Sequence, residues 1–324
     1  MIVVVCLNPA LDITHYVPEV DWAGVNRAAA VYARPGGKGA NVARTLHSFG
    51  MQTVLLGLVG GSTGAAVTAG LRELAVPAEL TEVTGETRRT FTVVDDQGTT
   101  ALFNEPGPEI SAAEYARFRA AYTSALHSTA TPASAVVLSG SLPRGLAVGS
   151  YAGLVKLAAD AGVPVVLDTS GEALRRGIAA GPAIVKPNLA ELRELSGRAL
   201  ADADGGADLA AVTTAAASLR EAGAGAVVVS LGAAGLLAIT EDGCWRAQPP
   251  AAATGNATGA GDAVTAALAH GLAVGRPWHE RLRHAAALGA AAVAAPVAGE
   301  FSRDAYDAGL SAVTVNREDV SACR

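Results

Sequence analysis

Short runs of aliphatic residues alternate with longer alanine-rich stretches along most of this chain of 324 residues. Each short run is apolar at consecutive positions, which is typical of strands buried on both faces of a parallel sheet. The runs predict strands at 2–7, 53–59, 135–138, 163–167, 183–185 and 226–231. The stretches between them predict helices at 41–49, 65–74, 112–125, 151–161, 189–196, 209–222 and 260–270. This alternation predicts a doubly wound α/β fold, with a mostly parallel sheet flanked by helices.

Two stretches break this pattern, at about 13–34 and 87–104, because polar and apolar positions alternate there. Alternation indicates strands with one face in water. The polar run Asp95-Asp96-Gln97-Gly98 is typical of a hairpin turn. We expect the two stretches to form a small antiparallel sheet outside the main one, acting as a lid or as a dimer surface. The alternative is a plain extension of the edge of the main sheet.

Composition excludes several classes of protein. Half of the residues are hydrophobic and 17% are charged, so the chain is not of the disordered type. The net charge of −6 argues against nucleic acid as a partner, since phosphate backbones need a basic face. Three cysteines do not make a disulfide scaffold, and reduced thiols predict a cytoplasmic protein. The longest apolar stretch, 285–299, is interrupted by Pro296, so no contact with a membrane is expected.

The segment Asn256-Ala-Thr-Gly-Ala-Gly-Asp262 precedes a predicted helix. Small residues at a helix start let an anion approach the backbone amides, which carry a partial positive charge. A carboxylate in the first turn does not ligate phosphate, but it can accept a proton from a hydroxyl that attacks phosphorus. Asp262 beside these amides would suit phosphoryl transfer to an alcohol. The alternative is a glycine turn whose aspartate caps the helix.

A second glycine-rich segment, Gly36-Gly37-Lys38-Gly39, precedes the helix predicted from Asn41. A bare backbone with one mobile cation suits a polyhydroxylated, anionic ligand, and an asparagine can bond two hydroxyls at once. An ordinary turn with a solvated lysine is the alternative. No Walker A motif occurs, and the dinucleotide fingerprint at Gly259 is only partial, so hydride chemistry remains the weaker interpretation.

Taken together, the two segments resemble the two signatures of the ribokinase-like, or phosphofructokinase B, family of carbohydrate kinases. Further segments resemble the family in the same order along the chain: Asn8-Pro-Ala-Leu-Asp12, Gly85-Glu-Thr-Arg88, Ser139-Gly-Ser-Leu-Pro143, Lys186-Pro-Asn-Leu-Ala-Glu191 and Ser230-Leu-Gly-Ala-Ala-Gly235. The opening segment, with Asn26 and Arg27, is similar to the branch that phosphorylates sugar phosphates, which contains 1-phosphofructokinase and tagatose-6-phosphate kinase.

The resemblance implies a single Rossmann-like (ribokinase-like) domain over 1–324, with a β-sheet lid formed by insertions at about 13–34 and 87–104. It implies ATP and a sugar phosphate as substrates and Mg²⁺ as the metal. A lid sheet with an apolar outer face would favour a homodimer formed through the lid, because monomers seldom leave large apolar patches exposed. Asp262 would be the catalytic base, and the anion-hole amides would come from Gly259, Ala260 and Gly261. Two departures stand out: the branch's usual glutamate before Val25 is replaced by Gly24, and the chain beyond Pro296 matches no family motif.

The resemblance also assigns the binding residues. The sugar site would contain Asp12, Gly37, Lys38, Asn41 and Ser139, and its existing phosphate would be held by Lys38, Arg88 and Arg27. The nucleotide site would contain Lys186, Asn188, Ser230, Gly232, Gly235 and Thr258. Glu191 would hold magnesium through water, since Mg²⁺ keeps several waters and few carboxylate ligands. Arg88 is the most informative of these, because a kinase of neutral sugars needs no cation from its lid.

Three alternatives remain open at this point. The first is a kinase of a neutral sugar or a nucleoside on the same fold. The second is a non-catalytic sensor of sugar phosphates, against which the intact Asp262 and Glu191 argue. The third is a nicotinamide-dependent dehydrogenase. The identity of the sugar, the preferred nucleotide and the dependence on monovalent cations are not specified by the sequence.

Overall fold

A large twisted sheet and a smaller separate sheet organise the protein. The computed structural model describes residues 1–97, 100–201, 206–249, 258–295 and 297–318. The strands are β1 (Ile2–Cys6), β2 (Ala10–Val17), β3 (Ala30–Gly36), β4 (Thr53–Val59), β5 (Ala78–Glu82), β6 (Arg88–Asp95), β7 (Thr100–Asn104), β8 (Ala135–Ser139), β9 (Val165–Asp168), β10 (Ile184–Val185), β11 (Ala226–Ser230), β12 (Leu236–Thr240), β13 (Gly243–Gln248) and β14 (Thr314–Glu318). The helices are α1 (Lys38–Ser48), α2 (Gly61–Glu73), α3 (Ala112–Leu126), α4 (Ser150–Asp160), α5 (Gly171–Ile178), α6 (Leu189–Ser196), α7 (Leu209–Glu221), α8 (Ala260–Ala273), α9 (Trp278–Val293) and α10 (Arg303–Ala312).

The large sheet has ten strands in the order β14-β13-β12-β11-β10-β9-β8-β1-β4-β5. Neighbouring strands from β11 to β5 are parallel, and the pairs β11–β12, β12–β13 and β13–β14 are antiparallel. Successive residues of β1 face opposite cores: Val4 belongs to the core that contains α1, α8 and α9, and Val5 to the core that contains α3, α4 and α7. Helices therefore cover both faces, which confirms the predicted α/β class and explains why the central strands consist mainly of apolar residues.

The smaller sheet has the order β3-β2-β6-β7. Its two outer pairs are antiparallel hairpins, as expected, but the central pair β2–β6 is parallel, so the prediction of a wholly antiparallel sheet was wrong. The reason is that β2 and β6 follow the parallel strands β1 and β5, so both hairpins leave the large sheet in the same direction. The small sheet is not an extension of the edge of the large one. Asp96 and Gln97 form the start of the turn before β7, and Gly98 lies outside the described residues.

All the predicted strands and helices occur, within a few residues of their expected bounds. The sequence analysis missed β5, α5, β12, β13, β14 and α10, and it treated the region of α9 only as an apolar stretch. That stretch is largely a helix packed closely on α8: a Cβ added to Gly289 would lie 2.8 Å from Cγ2 of Val264. Among the residues that the structure describes, no helix has the length and apolar character needed to cross a membrane.

The fold brings polar residues together at one edge of the large sheet. Parallel strands end there, and in open α/β sheets ligands bind in the crevice beyond these carboxyl ends. Asn8 follows β1, Gly140 follows β8, Asp168 ends β9, Lys186 follows β10 and Ser230 ends β11. Helices α1, α6 and α8 begin at the same edge, so their N-terminal amides lie beside these side chains.

Candidate active site

A cleft of about 1320 Å³ lies between this edge of the large sheet and one face of the small sheet. The two glycine-rich segments, which are more than 200 residues apart in sequence, both line it. The predicted site residues that line it are Asp12, Gly37, Lys38, Asn41, Arg88, Lys186, Asn188, Ser230, Gly232, Gly235, Thr258, Gly259, Ala260, Gly261 and Asp262. The predicted residues that do not line it are Ser139, Arg27 and Glu191.

Helix α8 begins at the floor of the cleft. Gly259 has the left-handed value φ 87°, and the backbone N–H of Ala263 donates to the carbonyl of Gly259 at 2.9 Å. The N–H groups of Ala260, Gly261 and Asp262 therefore precede the first hydrogen bond of the helix. Glycine is required at 259 on two grounds, since a Cβ there would also lie 2.9 Å from Cα of Ala298. Asn256 and Ala257 of this segment lie outside the described residues.

Asp262 stands in the first turn of α8 and is buried, 6% exposed. Its Oδ2 accepts a 2.9 Å hydrogen bond from Nδ2 of Asn41, and the helix has no side-chain cap. The alternative that this aspartate caps its own helix is therefore not what the structure shows. The pKa of Asp262 is raised to about 7, mainly by burial and also by the charge of Asp168, while Asn41 and the lysines 38 and 186 act in the opposite direction.

Asp168 is the functional candidate that the sequence analysis missed. Its Oδ1 lies 3.3 Å from Nζ of Lys38, its Oδ2 lies 3.5 Å from Nζ of Lys186, and the hydroxyl of Thr265 donates to Oδ2 at 2.8 Å. Burial alone would raise the pKa of Asp168, but the two lysines and the hydrogen bonds outweigh it and hold the pKa below its usual value. A carboxylate placed directly after the predicted strand at 163–167 was the signal that could have revealed it.

Lys38 is surrounded by carboxylates. Its Nζ lies between Asp168 and Glu191, whose Oε1 is 3.7 Å away, and the charge of Asp168 is the main cause of the raised pKa of this lysine. Glu191 also receives a hydrogen bond from the backbone N–H of Asn188, and the side chain of Asn188 receives one from Glu191, which forms a capping box at α6. Glu191 thus lies behind Lys38, at the margin of the cleft.

The small sheet contributes polar side chains from its inner face. Asp12 on β2 is paired in register with Thr90 on β6, and both line the cleft with Arg88. Burial raises the pKa of Asp12, and the neighbouring Arg88 opposes that effect. Nε of Arg88 donates to the carbonyl of Asn8 at 3.1 Å. A Cβ on Gly36 would lie 1.9 Å from Oδ2 of Asp12, so a larger residue there would displace this carboxylate from its observed position.

Two predicted substrate residues lie elsewhere. Arg27 is exposed, in the segment between β2 and β3. Ser139 is fully buried at the end of β8, and its hydroxyl has no hydrogen-bond partner among the described residues. Among the other cleft-lining residues that the sequence analysis did not select are Asn8, whose amide donates to Oγ of Ser141 at 3.1 Å, and Arg44. Asn8 opens the quoted segment 8–12, so that motif contained the signal, whereas Arg44 lies on α1 beyond the quoted glycines.

The opposite end of the cleft is formed by strand ends and glycines. Ser230 ends β11, and a short 3₁₀ helix, Gly232–Ala234, follows it. Gly235 has φ 87°, and a Cβ there would lie 2.1 Å from the carbonyl oxygen of Ala247, so this turn needs glycine. The buried amine of Lys186 lies near the start of α8: a Cβ on Gly261 would be 3.5 Å from it.

Comparison with known proteins identifies the family. The model of the pfkB family of carbohydrate kinases matches residues 4–305. The chain belongs to this family. This pfkB kinase is 38% identical over 275 residues to the 1-phosphofructokinase of Xanthomonas campestris pv. campestris, and the match covers 83% of each chain. The predicted family and enzyme class, an ATP-dependent carbohydrate kinase, are thereby confirmed.

Solved structures agree with the assignment. The kinase superposes on phosphofructokinase-2 from Escherichia coli with a TM-score of 0.87 and 30% identity, over 96% of this chain and 98% of that one. It matches the ribokinase of Arabidopsis thaliana with a TM-score of 0.73 and 23% identity, over 95% and 98% of the two chains. The second likeness concerns the fold alone, and it confirms the ribokinase-like architecture.

Proposed function

We propose that this kinase transfers the γ-phosphoryl group of ATP to a hydroxyl of a sugar phosphate, in a reaction of the 1-phosphofructokinase or tagatose-6-phosphate kinase type. The observation that carries the proposal is the position of Asp262, a buried carboxylate beside the first amides of α8 in a large cleft. The name of the Xanthomonas relative, 1-phosphofructokinase, supports a phosphorylated sugar as the acceptor.

Asp262 acts as the general base in this proposal. Its carboxylate takes the proton of the acceptor hydroxyl while that oxygen forms a bond to the γ-phosphorus, and the bond from phosphorus to the β,γ-bridging oxygen breaks to release ADP. A pKa of about 7 suits the role, because a base titrating near neutral pH is substantially ionised there and still accepts a proton readily.

The charge of the transferred group meets the amides of Gly259, Ala260 and Gly261, which would form the anion hole. Lys38 and Lys186 stand beside them, each paired with Asp168. Lys38 would therefore be available to the transferred phosphoryl group as well as to the phosphate already on the sugar. We assign the nucleotide to the end of the cleft formed by Lys186, Asn188, Ser230, Gly232, Gly235 and Thr258.

The residues present fit a magnesium ion held mainly by water and phosphate oxygens. Glu191 offers a hard oxygen ligand at the margin of the cleft: Oε2 is engaged by the capping box, and the contact of Oε1 with Lys38 is a long 3.7 Å. No group of three or more potential metal-ligating acids, histidines or cysteines occurs within the described ranges, which agrees with a metal bound by few protein ligands. When bound, Mg²⁺ would neutralise charge on the nucleotide phosphates.

The acceptor would lie under the small sheet. Asp12 can accept hydrogen bonds from two neighbouring hydroxyls, and Arg88 can pair with the existing phosphate through a charge-assisted contact. Gly37 and Asn41 bring backbone and amide groups to the same place. Ser139 and Arg27 remain part of the proposal, but each must be reached by a change of conformation or by an approach from outside the cleft.

We propose further that residues 1–324 form one domain and that the small sheet, built from insertions at about 13–34 and 87–104, closes as a lid. Closure would exclude water, which otherwise competes with the sugar as an acceptor. The polar inner face of the sheet supports this role, since Thr14, Thr92 and Asn104 line the cleft from three of its strands.

The outer face of the same sheet supports a homodimer. Side chains alternate along a strand, so the face opposite the cleft carries Ala33, Ile13, Phe91 and Phe103, which are paired in register across the sheet. Phe103 is 51% exposed, and monomers seldom leave a contiguous apolar row uncovered. Sedimentation of the wild type should give a dimer and Phe103→Glu a monomer; a monomeric wild type would contradict this.

A substrate panel tests the function itself. Free and phosphorylated hexoses are offered with ATP and Mg²⁺, and ADP formation is followed by a coupled assay. We expect turnover with fructose 1-phosphate, fructose 6-phosphate or tagatose 6-phosphate and little with the free sugars. Faster turnover of a neutral sugar or nucleoside would identify the alternative kinase, and binding of a sugar phosphate without ADP formation would identify a sensor.

A further inference from the structure

The amide of Asn41 contacts the proposed base rather than open cleft. Asn41 lies in the first turn of α1 and Asp262 in the first turn of α8, 221 residues away, and both side chains are buried. Nδ2 of Asn41 donates to Oδ2 of Asp262 at 2.9 Å. The opposite orientation of the amide would place two oxygens against each other, so the nitrogen must face the ionised carboxylate.

We propose that Asn41 is a positioning residue for Asp262, in addition to any contact with the sugar. It fixes Oδ2 of the carboxylate, so that the other oxygen, Oδ1, is directed at the acceptor hydroxyl. The inference rests on the proposed role of Asp262 as the base. It assigns to Asn41, which follows the glycine-rich segment Gly36-Gly37-Lys38-Gly39, an effect on proton transfer that a residue binding only sugar would not have.

The surroundings of Asn41 hold its side chain in place. Its backbone N–H donates to the carbonyl of Gly37 at 3.0 Å, and a Cβ on Gly299 would lie 3.1 Å from its Oδ1. The segment around Gly299 is in turn tied to α1: Arg44 donates to the carbonyl of Ala298 at 2.9 Å, and its other terminal nitrogen lies 3.2 Å from Glu300. The oxygen side of the Asn41 amide therefore packs against the segment around Gly299, and its nitrogen side is directed at Asp262.

Asn41 differs from the other side chains that act on Asp262, because it carries no charge. The charged groups that act on Asp262 are Lys38 at the start of α1, Asp168 at the end of β9 and Lys186 after β10. A neutral donor stabilises the ionised carboxylate by a hydrogen bond alone. Removing it should make Asp262 harder to ionise while leaving the charges of the site unchanged.

The experiment measures kcat/KM for the sugar phosphate against pH, because the acid limb reports ionisation of the free enzyme. We expect Asn41→Leu to move the acid limb upward by about one pH unit, the shift expected when a hydrogen bond to a charged group is lost. Asn41→Asp, which keeps the shape of the side chain, should move it further, because two adjacent carboxylates repel each other. Substrate phosphates titrate equally in every variant, so only differences between variants are interpreted.

Thr45→Val is the matched control. Thr45 lies one turn further along the same face of α1, and its hydroxyl donates to the carbonyl of Gly299 at 3.4 Å. This variant loses a buried hydrogen bond of the same helix and should keep the wild-type acid limb. Asp168→Asn should move the limb downward, since it removes a negative charge near the base.

Two results would overturn the inference. An unchanged acid limb in both Asn41 variants, with a raised KM for the sugar phosphate, would make Asn41 a sugar ligand only. An upward shift in Thr45→Val of the same size would mean that any disturbance of α1 moves the limb. Failure of the proposed function gives a different result. Near-normal turnover in Asp262→Asn would show that Asp262 is not the general base, whatever the Asn41 variants do.

Discussion

Asp168 and Lys186 form a buried ion pair in the wall of the cleft, with 3.5 Å between Oδ2 and Nζ and with side chains that are 0% and 4% exposed. The pair stands at the ends of neighbouring parallel strands, β9 and β10. A charge buried to this extent is tolerated only where an opposite charge and hydrogen bonds accompany it. The site thus places a lysine beside the start of α8 without leaving its charge uncompensated.

Asp168→Asn is expected to be strongly destabilising, because it leaves the amine of Lys186 buried without its carboxylate. A cost of about 3 kcal/mol or more in the free energy of unfolding is typical for loss of one partner of a buried pair. Denaturant unfolding of the variant and of the wild type measures it. The double variant Asp168→Asn with Lys186→Met should be less destabilised than the sum of the two single variants, and strict additivity would contradict the pairing.

The same pair sets a pH window. The pKa of Asp168 is lower in the folded protein than its usual 3.8, so its contribution to stability is fully present above that pH and is lost as the pH falls below it. The difference in unfolding free energy between wild type and Asp168→Asn should therefore shrink in acid.

Asp262 should have the opposite linkage. Its pKa is about 7 in the folded protein and 3.8 ordinarily, so between these values the folded state binds more protons and stability falls as the pH rises. Asp262→Asn removes this loss, and relative to wild type it should gain about 2 to 3 kcal/mol between pH 5 and pH 8. Its kcat should fall by about 10²-fold or more, as for loss of a general base.

The control for this prediction is Asp160→Asn, on the exposed end of α4. Because Asp160 is exposed and does not line the cleft, this variant should keep the wild-type kcat. The prediction would be contradicted if the difference in unfolding free energy between wild type and Asp262→Asn did not depend on pH. The surroundings of Asp262 would then not raise its pKa toward 7.

The elements that could be predicted from the sequence are mainly those whose surroundings are the same on both faces. Strands such as β4 and β11 consist mainly of consecutive apolar residues because helices cover both faces, and that pattern can be read locally. Strand β5 was missed because it is an edge strand whose residues are mostly exposed, so Ala78–Glu82 has no apolar run. The parallel pairing of β2 with β6 depends on where β1 and β5 lie in the large sheet, which no local pattern specifies.

The site shows the same division. Gly37 and Gly259 could be found because each belongs to a short motif at the start of a helix. Asp168 was harder to select from the sequence, since its importance comes from Lys38, which is 130 residues away, and from Lys186, which follows the neighbouring strand β10. A sequence motif indicates a local turn, whereas a buried charge network exists only after the strands are in register.

Arg88 and its neighbour Arg89 form a matched pair for testing the substrate site. Arg88 lines the cleft, whereas Arg89 points away from it and pairs with Glu105 at 2.9 Å. Arg88→Ala should raise the KM for a sugar phosphate by about 10- to 100-fold, the effect of losing a charge-assisted hydrogen bond. Its KM for ATP should change little, and Arg89→Ala should leave both near the wild-type values. Equal effects of the two variants would show that Arg88 does not contact the acceptor.

Gly259→Ala tests whether the backbone at the start of α8 is needed in its observed conformation. The new Cβ would lie 2.9 Å from Cα of Ala298, so the turn must shift and its amides must move with it. Loss of one such donor typically reduces turnover by about 10²-fold. Gly275→Ala, at the other end of the same helix, has a similar positive φ of 68° but open space around it, so it should cost only about 1 kcal/mol of stability and leave kcat unchanged. Comparable kcat values in the two variants would mean that the amides of α8 do not stabilise the transferred phosphoryl group.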